Sequence, residues 1–191
     1  MPSGIVHDRI TIRLLPWVGG ITYGTTRSAE LTLILACGYL FSGLMFGPDL
    51  DIHSLQYKRW GLIRGIWLPY RQFFRHRSIF SHGLIIGTCV RLIYLFFFIA
   101  LISTLGVAIA QLCLGFAWNW QVFVRGQLNL LIDKYPRETI ALLIGLEIGA
   151  MSHSISDWIN SQRKRRLKNK LSKVQTKPQQ LSQARIYQKK K

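Results

Sequence analysis

Residues 46–54, FGPDLDIHS, place Asp49, Asp51 and His53 within five residues, directly after the uncharged segment LTLILACGYLFSGLM (31–45). Three other stretches carry the same residue types. HDRIT (7–11) holds His7 and Asp8, RHRSIFSHG (75–83) holds His76 and His82, and HSISD (153–157) holds His153 and Asp157. These four stretches contain all five histidines of the chain. Imidazoles together with carboxylates suit Zn, Mn or Fe, and a set this rich could hold one ion or two and activate a water.

The spacings agree with that chemistry. In an extended segment Asp49, Asp51 and His53 share one side, because side chains alternate. On a helix His153 and Asp157, at i and i+4, share one face. His76 and His82 are six apart, so they converge only across a loop or a helix start. The competing reading is that polar residues simply mark where apolar helices meet water. Against it stands an asymmetry: residues 24–30 and 117–137 hold no histidine and, among interior loop acids, only Glu30 and Asp133.

The elements that must position these groups follow from composition. The 191 residues are 49% hydrophobic and yet carry a net charge of +17, with mean hydropathy +0.20. Such values coexist only if charge and apolarity are segregated. Residues 92–124 contain no charged side chain, whereas about 20 apolar residues suffice to cross a bilayer. The expected fold is therefore all-α: an integral membrane bundle of three to four transmembrane helices. The apolar segments are 10–24, 29–48, 83–116 and 138–158. The first is weak, being interrupted by Arg13 and broken by Pro16. The third is longer than a membrane is thick, so it must tilt, project or break near Gly106 or Gly115.

Orientation comes from the positive charges. Loop 54–82 carries Lys58, Arg59, Arg64, Arg71, Arg75 and Arg77 without an acid, and residues 161–191 carry twelve Lys/Arg without an acid. Both fall on one side, read as cytoplasmic, and all four His/Asp stretches fall at that end. Residues 1–160 form the membrane-embedded metal-binding domain, and 161–191 a disordered basic tail. Its partner is a bilayer with anionic headgroups, each basic residue near it contributing about 1 kcal/mol; nucleic acid is the less favoured partner. Cys37, Cys89 and Cys113 lie inside apolar runs without metal-ligand or disulfide spacing. Arg91 and Glu147 lie at similar depths, about 13–17 Å from the same face at 1.5 Å per residue, so a buried ion pair between them is expected.

Several motifs are excluded. DLDIHS lacks the Gly and the closing Glu of an EF-hand, and neither HExxH nor GxSxG occurs. The ordered set HDRIT, FGPDLDIHS, YKRWG (57–61), RHRSIFSHG and HSISDW (153–158) resembles an uncharacterised family of metal-binding membrane proteins common in cyanobacteria. It is more distantly similar to the LexA-binding, inner-membrane-associated metal-dependent hydrolases. The resemblance implies a site of His7, Asp49, Asp51, His76, His82, His153 and Asp157, in a bacterial plasma membrane or a thylakoid membrane. Two departures from the distant group are that Ile52 separates Asp51 from His53, and that His76 and His82 are one residue farther apart.

The expectation is a metal-dependent hydrolase acting on a phosphoester or another ester, with a phosphorylated or lipid substrate. His7, Asp49, Asp51, His82, His153 and Asp157 bind the metal, and His76 or His53 serves as base. Arg75 and Arg77 neutralise an anionic substrate. The alternative is a non-catalytic membrane protein whose metal is structural or sensory, because a closed site holds an ion without offering it to substrate.

Overall fold

The computed structural model describes residues 4–74 and 78–189, with side chains to residue 168. The chain divides into two compact units, Ser3–Ser154 and Ile155–Lys191 with the first two residues. Each is described by itself. All described elements are helical, in keeping with the expected all-α class.

In the larger unit α1 spans Gly4–Thr26 and α2 spans Ala29–Leu44. Pro16, expected to break the first segment, lies inside α1. A proline removes one backbone donor, and the helix continues because α1 packs along α2. There the Tyr39 hydroxyl donates to the Thr11 carbonyl at 3.0 Å. Between the two helices the chain turns at Arg27, whose φ is 53°. Ser28 then caps α2 by accepting from the Leu31 N–H, satisfying one of the orphan donors of the first turn.

On its other side α2 meets α8, which begins at Pro136. A Cβ at Gly145 would lie 2.3 Å from the Leu35 carbonyl oxygen, and one at Gly149 2.4 Å from that of Tyr39. Across the seam, a Cβ at Gly38 would lie 2.8 Å from the Leu142 carbonyl oxygen. Backbones this close require small residues, and GLEIG (145–149) has the small-xxx-small spacing that allows such an approach. This small-residue signal is legible in the sequence itself.

The segment expected to be a basic cytoplasmic loop is folded. A 3-10 turn at Pro48–Asp51 leads to α3 (Leu55–Arg59), a second 3-10 stretch at Gly61–Trp67, α4 (Leu68–Phe73) and α5 (Ile79–His82). Phe46, Leu50, Tyr57, Trp67, Tyr70 and Leu146 form a buried core. The Trp67 ring makes edge contacts to Phe46 and Tyr70 with centroids 5.7 and 5.6 Å away. Lys58, Arg59 and Arg64 are exposed and give the segment its loop-like composition, while Tyr57, Trp67 and Tyr70 turn inward. Burial pushes the Tyr70 hydroxyl up to about 12, with the Arg91 guanidinium opposing the rise.

Next comes α6, Ile86–Leu114. It runs unbroken through Gly106 and ends at Gly115, whose φ of 68° makes a left-handed C-cap. Its buried residues, Gly87, Thr88 and Arg91, all lie in the first two turns; the apolar remainder is largely exposed. The short helix α7 (Trp120–Asn129), capped by Asn119, buries no residue. By length and composition three helical stretches could cross a membrane: Ala29–Asp51, Ile86–Leu114 and Pro136–Lys168.

The smaller unit is the continuation of α8, which reaches Lys189. Lys, Arg, Gln and Leu are good helix formers, and a helix extended from an existing one bears no new nucleation cost.

Candidate metal centre

The turn bearing Asp49 and Asp51 is fixed from both sides. Pro48 occupies its first position after an extended Gly47, as suits a residue without an N–H. Gln56 donates to the Gly43 carbonyl at 2.9 Å and packs so closely on Gly47 that a Cβ there would lie 2.3 Å from Nε2. Ser54 donates to the Asp49 carbonyl at 2.8 Å. The two aspartates therefore sit on a 3-10 turn, not on the extended segment expected from their alternation.

His82 ends α5 and lies against both carboxylates. Its Nε2 is 3.6 Å from Asp49 Oδ1, and its Nδ1 is 3.9 Å from Asp51 Oδ2. The Ser81 hydroxyl lies 2.9 Å from the same Nδ1. From α8, His153 Nε2 approaches Asp49 Oδ2 at 3.2 Å. His7 comes from α1 and stacks on His153, with ring centroids 3.8 Å apart and planes 19° from parallel. His7, Asp51 and His153 are all buried. The side chains of Asp49 and His82 retain 13% exposure, which leaves the cluster one accessible edge.

Five expected ligands are thus brought together from four elements. Asp157 follows His153 by one helical turn on α8 and belongs to the smaller unit, where it is buried. His76, Arg75 and Arg77 lie outside the described residues. His53 is not drawn into this group. It is exposed, 3.2 Å from Arg71 Nη1, and edge-on to Tyr57 at 5.2 Å. Ile52 turns it away, since two residues beyond a 3-10 turn no longer follow the alternation of a strand. Asp8 serves elsewhere, in a two-point ion pair with Arg59 across α1 and α3.

The donor set fits a divalent ion. Asp49 Oδ1 is buried and has no hydrogen-bond partner among the described residues. A carboxylate oxygen left so is costly, and the His82 Nε2 that faces it lies 3.6 Å away, beyond good hydrogen-bond length. Nitrogen and carboxylate donors converging in this way suit Zn, Mn or Fe equally.

The expected Arg91–Glu147 pair gives way to two separate roles. Arg91, 1% exposed, donates from Nη1 to the Ser81 carbonyl at 2.8 Å and from Nη2 to the Thr88 hydroxyl at 3.0 Å. Glu147 Oε1 accepts the Ile85 N–H at 2.8 Å. Both line one pocket together with His82 and Ser81. Depth says nothing of the backbone groups that compete for them.

A protein of Aquifex aeolicus (strain VF5), described as an uncharacterized protein, is 42% identical over 59 residues, 30% of this chain. That match spans about two-fifths of the relative's length, 41%. No solved structure matches the chain. Residues 2–167 match the family described as uncharacterized metal-binding protein (DUF2227), and the chain belongs to that family.

Proposed function

We propose that this chain is a membrane-embedded divalent-metal protein whose metal supports hydrolysis of a phosphoester or another ester at the cytoplasmic face. The observation that carries the reading is the arrangement around Asp49. One carboxylate offers its two oxygens to two imidazoles, from helices distant in sequence, and keeps an exposed edge. His7, Asp49, Asp51, His82 and His153 would hold the ion.

When bound, the metal would supply a Lewis acid and lower the pKa of a water. The protein's own contribution is orientation. Asp49 and His82 border the accessible edge, Ser81 sets the ring of His82, and the His7–His153 stack closes the buried side. The base role expected of His53 loses support from its exposed place beside Arg71. The role then falls to His76, which lies outside the described residues.

Membrane embedding rests on α6. A helix of 29 residues, apolar on every side and buried only in its first two turns, needs a lipid environment. With α6 crossing, the His/Asp cluster at its N-terminal end shares a side with the basic residues of 54–74. By the positive-inside rule that side is the cytoplasm.

A non-catalytic reading is favoured by one observation, the deep burial of His7 and His153. The test is metal analysis of detergent-purified protein beside Asp49→Ala and His153→Ala, followed by a panel of phosphomonoesters, phosphodiesters and carboxylic esters. Metal in the wild type, lost in both variants, together with metal-dependent turnover is expected. Equal metal in all three overturns the site. Metal without turnover across the panel leaves the structural reading.

A further inference from the structure

We propose that Arg91 and Glu147 are positioning residues for His82: they clamp a strained turn on either side and thereby set where its imidazole lies. The inference rests on the metal-centre reading above and assigns two charges that the site itself does not use, the buried Arg91 and the half-buried Glu147.

The turn joins α5 to α6. Ile85 has φ 61° and ψ −55°, and the Ile86 N–H reaches back to the Leu84 carbonyl at 2.6 Å. This is a γ-turn of the rare, positive-φ kind. For a β-branched residue such a conformation is an outlier, and it persists only where the surroundings over-determine it.

Packing does not repay the strain. Leu84, Ile85 and Ile86 are 57%, 66% and 46% exposed, so the turn buries none of its own apolar side chains. Polar contacts hold it instead. Upstream, the Arg91 guanidinium grips the carbonyl of the wholly buried Ser81, the residue before His82. Gly87 makes this grip fit, for a Cβ there would lie 2.9 Å from the Ser81 carbonyl oxygen. Downstream, Glu147 reaches from α8 to the Ile85 N–H. Between these two points lie only His82, Gly83 and Leu84.

A relaxed Ile85 would change the angle at which the chain leaves α5. The imidazole would then leave its place 3.6 and 3.9 Å from the two aspartates. The clamp thus converts two charges into the location of one ring. Residues that orient metal ligands in this way change metal affinity about 10- to 100-fold when removed.

The experiment is a Co²⁺ titration with chelator competition in detergent micelles, with the Co²⁺ visible spectrum and the melting temperature of metal-free protein recorded alongside. Glu147→Leu and Arg91→Met are expected to weaken Co²⁺ binding about 10- to 100-fold and to alter the spectrum. Glu147→Gln keeps an acceptor for the Ile85 N–H and should bind close to wild type. Ile85→Gly adopts positive φ freely, so it should raise the metal-free melting temperature. Added to Glu147→Leu, it should restore part of the lost affinity, a rescue that a general loss of packing would not give.

Wild-type affinity and spectrum in Glu147→Leu overturn the proposal, as does an equal loss in Glu147→Gln. Should Glu147→Leu fail to fold, Ile85→Gly alone decides: a lower melting temperature overturns the strained turn, and a higher one supports it. A wild type that binds no Co²⁺ overturns the metal-centre reading as well, whereas binding without sensitivity to these variants overturns only the clamp.

Discussion

Asp49 and His153 meet across two helices, with carboxylate Oδ2 3.2 Å from imidazole Nε2. Asp49 follows α2 on a short turn, and His153 lies late in α8, so only packing of those elements brings them together. Replacing Asp49 by Asn keeps the shape and removes the charge that two imidazoles face. Asp49→Asn should lose most of the bound metal by elemental analysis. Chelation should lower the melting temperature of the wild type and leave that of the variant unchanged. An ion at 100 times its dissociation constant stabilises the folded state by about 2.7 kcal/mol.

The seam between α2 and α8 is set by backbone approach at Gly149. Gly149→Leu places a side chain against the Tyr39 carbonyl, which cannot rotate aside, and should destabilise by about 1–3 kcal/mol. Gly106 has nothing within 4 Å of its Cβ position. Gly106→Leu should therefore be neutral or stabilising by up to about 1 kcal/mol through helix propensity. Thermal unfolding in one detergent checks both.

Arg59 ties α3 to Asp8 in two-point fashion and also donates to the Leu44 carbonyl at 2.7 Å. Its side chain is 31% exposed and that of Asp8 18%, so solvent screens the pair. A double-mutant cycle with Asp8→Asn and Arg59→Met should give a coupling of about 0.2–1 kcal/mol. Arg59→Met alone should cost more than that coupling, because the Leu44 carbonyl also loses its donor.

Tyr70 is pushed up to about 12 by burial, and its hydroxyl has no hydrogen-bond partner among the described residues. Its folded-state value is raised above an unfolded value of about 10. Its stabilising contribution is therefore complete below about pH 10 and is lost as pH rises through about 12. Tyr70→Phe should be neutral or slightly stabilising at pH 7 and should shift the alkaline unfolding midpoint upward, as followed by circular dichroism.

His7, Asp49, Asp51, His82 and His153 could be picked out from sequence because imidazoles and carboxylates are costly beside apolar helices, and these lie at the ends of the apolar segments. His53 shows the limit of that logic. It shares the residue type and the motif, yet the turn after Asp51 sends it to Arg71. The fold of residues 54–74 was hidden for a related reason. Its exposed cations dominate the composition, while the aromatics that form the core are scattered without helical or strand period.

The helical class, the long apolar segments and most of the candidate ligands are legible along the chain, since hydropathy and chemical type are local properties. That Asp49 lies between two imidazoles, that Arg91 and Glu147 serve backbone groups around His82, and that glycines on α2 and α8 set the helix spacing comes from packing. Each of these depends on distances between segments far apart in the chain. Such distances are fixed by the packing of whole helices, and spacing along the sequence does not encode them.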